Sequence, residues 1–190
     1  IAQVDGTMIC TVEPGSRKGK RPRAWREMRL AAAHAQGSTT KFYAATFGRK
    51  VVLSTSRDNH KASRMINRAI MTGMLSVGVD VQDYGVTPLP VVRFLARCHR
   101  EERGGVHTRK SPFNPKYIDL KFFDDSGLDL SMGTEKNIES LFFREDFVRA
   151  EIEETGNISF PFGGFDTYVD GFVKSVDTKA IRSRGFNVVI

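Results

Sequence analysis

The stretch Lys50-Val51-Val52-Leu53-Ser54-Thr55 opens the part of the chain whose pattern decides the fold. Its short β-branched run reads as a buried strand. Ser56-Arg57-Asp58-Asn59 follows with turn and helix N-cap chemistry. Ala62, Met65, Ile66, Ala69, Ile70 and Met74 then fall on one face of a helix that Gly78 closes. Residues 79–84 read as a second strand. Thr87-Pro88-Leu89-Pro90 starts a second helix, which carries Val91, Val92, Leu95 and Ala96 and runs to about Glu102. Gly104-Gly105 leads into a third strand, Val106-His107-Thr108. Strand, helix, strand, helix, strand with short glycine turns predicts an α/β layer whose crossovers bring the strands parallel.

Outward from this unit the pattern changes. After a loop at 109–117, residues 118–123 and 128–130 read as a hairpin around Asp124-Asp125-Ser126-Gly127. That acidic turn lacks the alternating oxygen ligands and distal Glu of a calcium loop, so an ordinary turn is expected. A helix begins at Thr134, with Thr as its cap, and reaches Phe143; Met71, Met74, Phe142, Phe143 and Phe147 are assigned to core packing. From about Ile158 a second region holds an amphipathic helix over 165–176. It ends on Phe186-Asn187-Val188-Val189-Ile190, which reads as an apolar strand with no partner after it, so the chain is expected to be a segment of a longer protein. Towards the N-terminus, residues 1–26 read as irregular. Residues 27–36 read as a helix closed by Gly37, with His34 as a surface or packing residue.

Composition narrows the function classes. The 190 residues are 40% hydrophobic, enough for one good core and part of another. No apolar run approaches the roughly 18–20 residues that span a membrane. Cys10 and Cys98 lie in unrelated contexts and suggest neither a disulfide framework nor a zinc site, so a cytoplasmic location is expected. Of the net charge of +7, residues 1–30 hold +4, from seven basic side chains against three acids. The run from Arg17 to Arg29 carries a single aromatic, Trp25, and little hydrophobic periodicity, which argues for a solvated linker and against a nucleic-acid interface.

Loops that follow parallel strands form the binding edge of open α/β sheets. Two such loops stand out. One is Ser54-Thr55-Ser56-Arg57-Asp58-Asn59. The other, Arg109-Lys110-Ser111-Pro112-Phe113-Asn114-Pro115, sets a hydroxyl beside two cations, with Lys116 and Lys121 close behind. Clustered positive charge is what a phosphoryl group needs, since its transfer depends mainly on positioning and electrostatic stabilisation. His107, four residues before Ser111 and on a strand, is assigned a structural role, and Walker-type and dinucleotide glycine fingerprints are absent.

At these loops a family pattern is met. The region 51–137 resembles domain I of the α-D-phosphohexomutases, which include phosphomannomutases and phosphoglucomutases. Ser56-Arg57-Asp58-Asn59-His60 stands where that family has Gly-Arg-Asp-Thr-Arg. Gly78-Val79-Asp80-Val81-Gln82-Asp83-Tyr84-Gly85 and Val86-Thr87-Pro88-Leu89-Pro90-Val91 match in type, and Gly104-Gly105-Val106 leads into the active loop. Without a gap, Ser111 falls on the phosphorylated serine and Lys121 on the lysine proposed as acid/base group. The departures are Pro112 and Phe113 for the family's His-Asn, Arg109-Lys110 for Thr-Ala, and His60 for the second Arg. Mutase-like modules fused to sugar-1-phosphate nucleotidyltransferases accommodate these departures better, and residues 105–113 and 141–147 resemble them.

The resemblance implies a three-layer α/β fold with a mixed, mostly parallel sheet. The division expected is 1–26 as a basic linker, 27–145 as domain I, and 146–190 as a linker and the beginning of domain II. It implies interconversion of hexose 1- and 6-phosphates of mannose or glucose through phospho-Ser111, with Lys121 moving the proton. Arg57, Arg109 and Lys110 would bind phosphate or substrate. Mg2+ would meet this chain only through the phosphate on Ser111, its carboxylate loop lying in the second domain, so this segment alone is expected to be inactive. The alternative is a catalytically degenerate module that regulates or scaffolds a fused mannose-1-phosphate guanylyltransferase-type nucleotidyltransferase.

Overall fold

The computed structural model describes residues 2–4, 7–11, 51–144 and 150–188. The helix expected at 27–36 with its cap, and the basic run from Arg17 to Arg29, lie outside these residues, as does Phe147.

The elements are β1 (Ala2–Val4), β2 (Thr7–Thr11), β3 (Val52–Arg57), α1 (Lys61–Leu75), β4 (Asp80–Val86), α2 (Leu89–Cys98), β5 (Glu102–Lys110), β6 (Tyr117–Phe123) and α3 (Met132–Arg144). A short 3-10 turn (Ile152–Glu154), β7 (Ile158–Ser159), α4 (Gly164–Ser175) and α5 (Thr178–Arg184) follow. The strands form one sheet in the order β1-β2-β6-β5-β3-β4-β7. β5, β3, β4 and β7 run parallel, and β6 is antiparallel to both β5 and β2. With β1 antiparallel to β2, five of these seven strands point one way, so the sheet is mixed and mostly parallel.

The crossover helices cover opposite faces because each strand alternates its side chains. Val51, Leu53, Val81, Val106 and Leu120 meet Ile66, Ile70 and Met74 of α1 in one core. On the other face Phe123 packs with Val92 and Ala96 of α2. Each fully buried side chain of this size contributes about 1.5–3 kcal/mol. α4 forms a further layer over α2, where Tyr168 meets the Phe94 ring edge-on at 5.4 Å. Gly171 lets the two helices approach, since a Cβ there would lie 2.3 Å from the Phe94 ring.

Several expectations needed correction. Residues 2–4 and 7–11, read as irregular, are strands, and β2 pairs with β6 from Thr7↔Lys121 to Thr11↔Tyr117. α2 stops at Cys98, and Glu102 begins β5 instead of ending a helix. Glu102 is fully buried and receives the hydroxyls of Ser54 and Tyr84 (2.6 Å for the latter) together with the His99 ring at 2.8 Å. The second arm of the hairpin shrinks to one bridge, Phe123↔Asp129, and the acidic turn is closed by Asp124 Oδ1 accepting the Ser126 and Leu128 amides. The α3 cap is the Ser131 hydroxyl, which accepts the Thr134 amide. Phe186, Asn187 and Val188 are not strand; the C-terminal strand of this sheet is β7, joined to β4 at Val81↔Ile158.

Candidate active site

Both predicted loops leave the same edge of the sheet, at the C-terminal ends of β3 and β5. Arg57 is the last residue of β3 and pairs with Thr108, so the Arg57 loop and the Ser111 loop emerge side by side. β5 extends to Lys110, which places Arg109 and Lys110 in the strand instead of the loop. The ladder to β6 continues to Lys110↔Ile118, and the Ser111 amide donates to the Tyr117 carbonyl at 3.0 Å.

Ser111 is 7% exposed, and its Oγ accepts the Phe113 amide at 3.4 Å in a tight turn. Phe113 itself is 92% exposed, so the substitution that departs from the family pattern points an apolar ring into solvent. Asn114 closes the loop, its carbonyl receiving the Tyr117 amide and its Oδ1 the Lys116 amide.

The cations are disposed unequally. Lys110 is exposed at the strand end. Arg109 stands opposite Asp119 of β6, with Nε 3.5 Å from Oδ2, and Asp119 is 2% exposed. Arg109 Nε and Asp119 Oδ1 otherwise lack a hydrogen-bond partner, so the pair is held loosely. Arg57 is half-buried and donates from Nη1 to the Asp58 carbonyl at 3.0 Å. Lys121 pairs with His107, four positions back along β5 from Ser111, which is about 13 Å of strand. Ser111, Arg109, Lys110 and Arg57 are thus brought to one edge. Lys121 lies deeper on the ladder and is half-buried.

His107 is buried, and its Nδ1 lies 2.8 Å from the Ser56 hydroxyl across β3 and β5. Burial, reinforced by the charges of Arg109 and Arg93 and opposed by Asp58, holds its pKa down at about 4. It is therefore a neutral imidazole at pH 7, fixed in the sheet.

Two acidic residues of the site escaped the sequence reading. Asp58 was read as turn and cap chemistry, but the N-cap of α1 is His60, whose Nδ1 accepts the Ala62 amide at 3.3 Å. The Asp58 carboxylate instead bridges the two loops, accepting the Lys110 amide at 2.7 Å and the His60 amide at 2.9 Å. Burial alone would raise its pKa. The nearby Ser63 hydroxyl, although it makes no close hydrogen bond, the Lys110 and His60 amides and the His60 ring together outweigh burial and hold it below the ordinary value. For Asp119, the period-two alternation of β6 was the available signal: it puts Asp119 on the face of Tyr117 and Lys121, opposite Arg109.

Among the described residues no three His, Cys, Asp or Glu side chains are grouped to hold a metal ion, and both Asp58 oxygens are taken by amides. The described residues therefore do not by themselves build a Mg2+ site. No helix among them is long and apolar enough to cross a membrane.

Residues 19–149 match the family described as phosphoglucomutase/phosphomannomutase, alpha/beta/alpha domain I. The chain is 33% identical over 134 residues to a phosphoglucomutase/phosphomannomutase of Thermococcus kodakarensis, covering 70% of this chain and 29% of that protein. It is 30% identical over 146 residues to a phosphoglucosamine/phosphogalactosamine mutase of Sulfurisphaera tokodaii, covering 76% and 32%. A crystal structure of a phosphoglucomutase/phosphomannomutase family protein from Burkholderia thailandensis superposes with a TM-score of 0.66 at 19% identity, covering 90% of this chain and 35% of that one. The chain thus spans about a third of the length of these proteins.

Proposed function

The chain belongs to the phosphoglucomutase/phosphomannomutase family through the α/β/α domain I, and from that premise we propose that it supplies the phosphoryl-carrying serine of a hexose-phosphate mutase. The observation that carries the proposal is Ser111, fixed at the sheet edge where the Arg57 loop and the cationic end of β5 converge. In the proposed cycle, the phosphoryl group leaves the Ser111 oxygen for a hydroxyl of a hexose monophosphate, giving a hexose bisphosphate and a free serine. Ser111 then takes back the other phosphoryl group and releases the isomeric monophosphate. Lys121 takes the proton of the attacking sugar hydroxyl and passes it to the departing Ser111 oxygen, and in the second step the relay runs from the Ser111 hydroxyl to the departing sugar oxygen. Lys110 and Arg57 hold the anion, and Arg109 joins them by exchanging Asp119 for phosphate.

Glucose or mannose phosphate is the proposed substrate class. The similarity to amino-sugar phosphate mutases adds the 2-amino sugars to the hexoses worth testing. Mg2+ would neutralise the transferring phosphoryl group, and this chain would contribute only the phosphate oxygens on Ser111. A cytoplasmic setting forms part of the proposal, resting on cysteine usage; Cys98 is an exposed free thiol.

A second reading is favoured by Pro112 and the solvent-exposed Phe113, which replace polar loop residues. Under it the loop binds a sugar phosphate without turning it over and regulates an attached nucleotidyltransferase. Phosphoryl exchange between glucose 1,6-bisphosphate and glucose or mannose 1-phosphate, measured on the full-length protein, separates the two. The mutase reading expects exchange that Ser111→Ala abolishes and Lys121→Ala slows by about 100-fold or more. Tight sugar-phosphate binding with no exchange would replace it with the regulatory reading.

A further inference from the structure

We propose that Asp58 is a positioning residue for Ser111: its carboxylate substitutes for a missing strand neighbour of β5 and fixes the backbone from which the serine projects. This inference rests on the proposed role of Ser111 as phosphoryl carrier.

The argument begins where two parallel strands part. From Ser54↔Gly105 β3 and β5 keep one register to Arg57↔Thr108, and the Asp58 amide still donates to the Thr108 carbonyl at 3.0 Å. One step further, the β3 chain has turned away towards α1. The Lys110 amide faces that side and meets no strand carbonyl there. Lys110 is exposed, so water would otherwise take this amide and the strand end would fray; a charged acceptor on the protein serves as the surrogate that holds it. Asp58 Oδ2 supplies it at 2.7 Å, while Oδ1 receives at 2.9 Å the amide of His60, the N-cap of α1. One side chain therefore ends the ladder and closes the turn that leads into the helix.

The neighbouring amide is held from the other side. Successive N–H groups of a strand point in opposite directions within the sheet. Accordingly the Ser111 amide donates to Tyr117 of β6 at 3.0 Å. Lys110 and Ser111 are thus clamped between Asp58 on one flank and β6 on the other. Only the Asp58 flank depends on a single side chain. In-line phosphoryl transfer is sensitive to displacement of the attacking or leaving oxygen, and about 1 Å can cost about 100-fold in rate. With both oxygens engaged by amides, Asp58 acts through the Ser111 backbone and not on the reacting atoms.

The test uses the full-length protein with Asp58→Ala, Asp58→Asn and, as a control in the same loop, Asn59→Ala. Amide hydrogen exchange at Lys110 is expected to rise about tenfold or more in Asp58→Ala, by less in Asp58→Asn, which keeps one acceptor, and not at all in Asn59→Ala. Exchange at Val106, in the middle of β5, should stay as in the wild type. The rate of Ser111 phosphorylation by glucose 1,6-bisphosphate should fall about 10- to 100-fold in Asp58→Ala, with its KM changed less than about threefold. Should Asp58→Ala fail to fold, Asp58→Asn carries the same comparison. Unchanged exchange at Lys110 would overturn the proposal, and so would loosened exchange with an undiminished phosphorylation rate. Were the wild type itself to take up no phosphoryl group, the mutase reading would fall, and the exchange measurement alone would decide the clamp.

Discussion

Ser56 and His107, buried side by side at 2.8 Å, show how the candidate site is supported from beneath. His107 is held at about 4, mainly by burial. A base whose folded value lies below its ordinary 6.5 stays neutral in the fold, while the unfolded chain takes up a proton first as the pH falls. The stability it contributes is therefore complete above pH 6.5 and is lost as the pH drops towards 4. At about 1.4 kcal/mol per unit, the whole span is worth on the order of 3 kcal/mol. Unfolding free energies of wild type and His107→Gln, compared between pH 7.5 and 4.5, should show a weaker pH dependence in the variant. Equal slopes would mean that His107 keeps its ordinary titration in the fold. At this scale Ser111, Arg57, Arg109 and Lys110 were legible as a converging set, because a hydroxyl and cations in loops after parallel strands already define an edge. Asp58 and Asp119 were not. Their partners, the Lys110 amide and the Arg109 guanidinium, come from neighbouring strands that no local spacing specifies.

Among the elements, legibility followed periodicity. β3, α1 and β4 were read within two or three residues of their ends, since α1 presents Ile66, Ile70 and Met74 on one stripe and the apolar run Val51-Val52-Leu53 leads into β3. β5 was cut short because Arg109 and Lys110 look like loop residues; the sheet keeps them in the strand by supplying β6 on one side and Asp58 on the other. β7 has two residues with exposed side chains, so no pattern announces it. It is placed by backbone contacts instead: the Val81 amide donates to the Asn157 carbonyl at 2.8 Å, and the Asn157 amide to Asp80 Oδ1 at 2.8 Å. Gly156 makes that approach possible, since a Cβ there would lie 1.9 Å from the Val79 carbonyl oxygen. Gly156→Ala should therefore detach β7 and destabilise the protein by about 1–3 kcal/mol, read as a lower unfolding midpoint and faster amide exchange at Val81. A variant with wild-type exchange at Val81 would show that β7 is not held in this way.

For the whole molecule, the sheet collects the Arg57 and Ser111 loops at one edge while α1 and α2 cover its faces. The layering of helices on both faces of the sheet is the alpha/beta/alpha fold of domain I of the family to which the chain belongs. The apolar face left on α4, with Phe165, Phe172 and Val173 exposed, shows that this layer is not covered by the described residues. The proposed activity depends on Ser111 carrying a phosphoryl group between sugars, and that proposal is open to direct observation. Full-length protein incubated with glucose 1,6-bisphosphate should gain close to one phosphoryl group per chain, located on Ser111 by fragment mass spectrometry. Adding glucose or mannose 1-phosphate should then discharge it. A protein that acquires no phosphate at Ser111, or whose phosphate stays in place when the sugar monophosphate is added, would contradict the account.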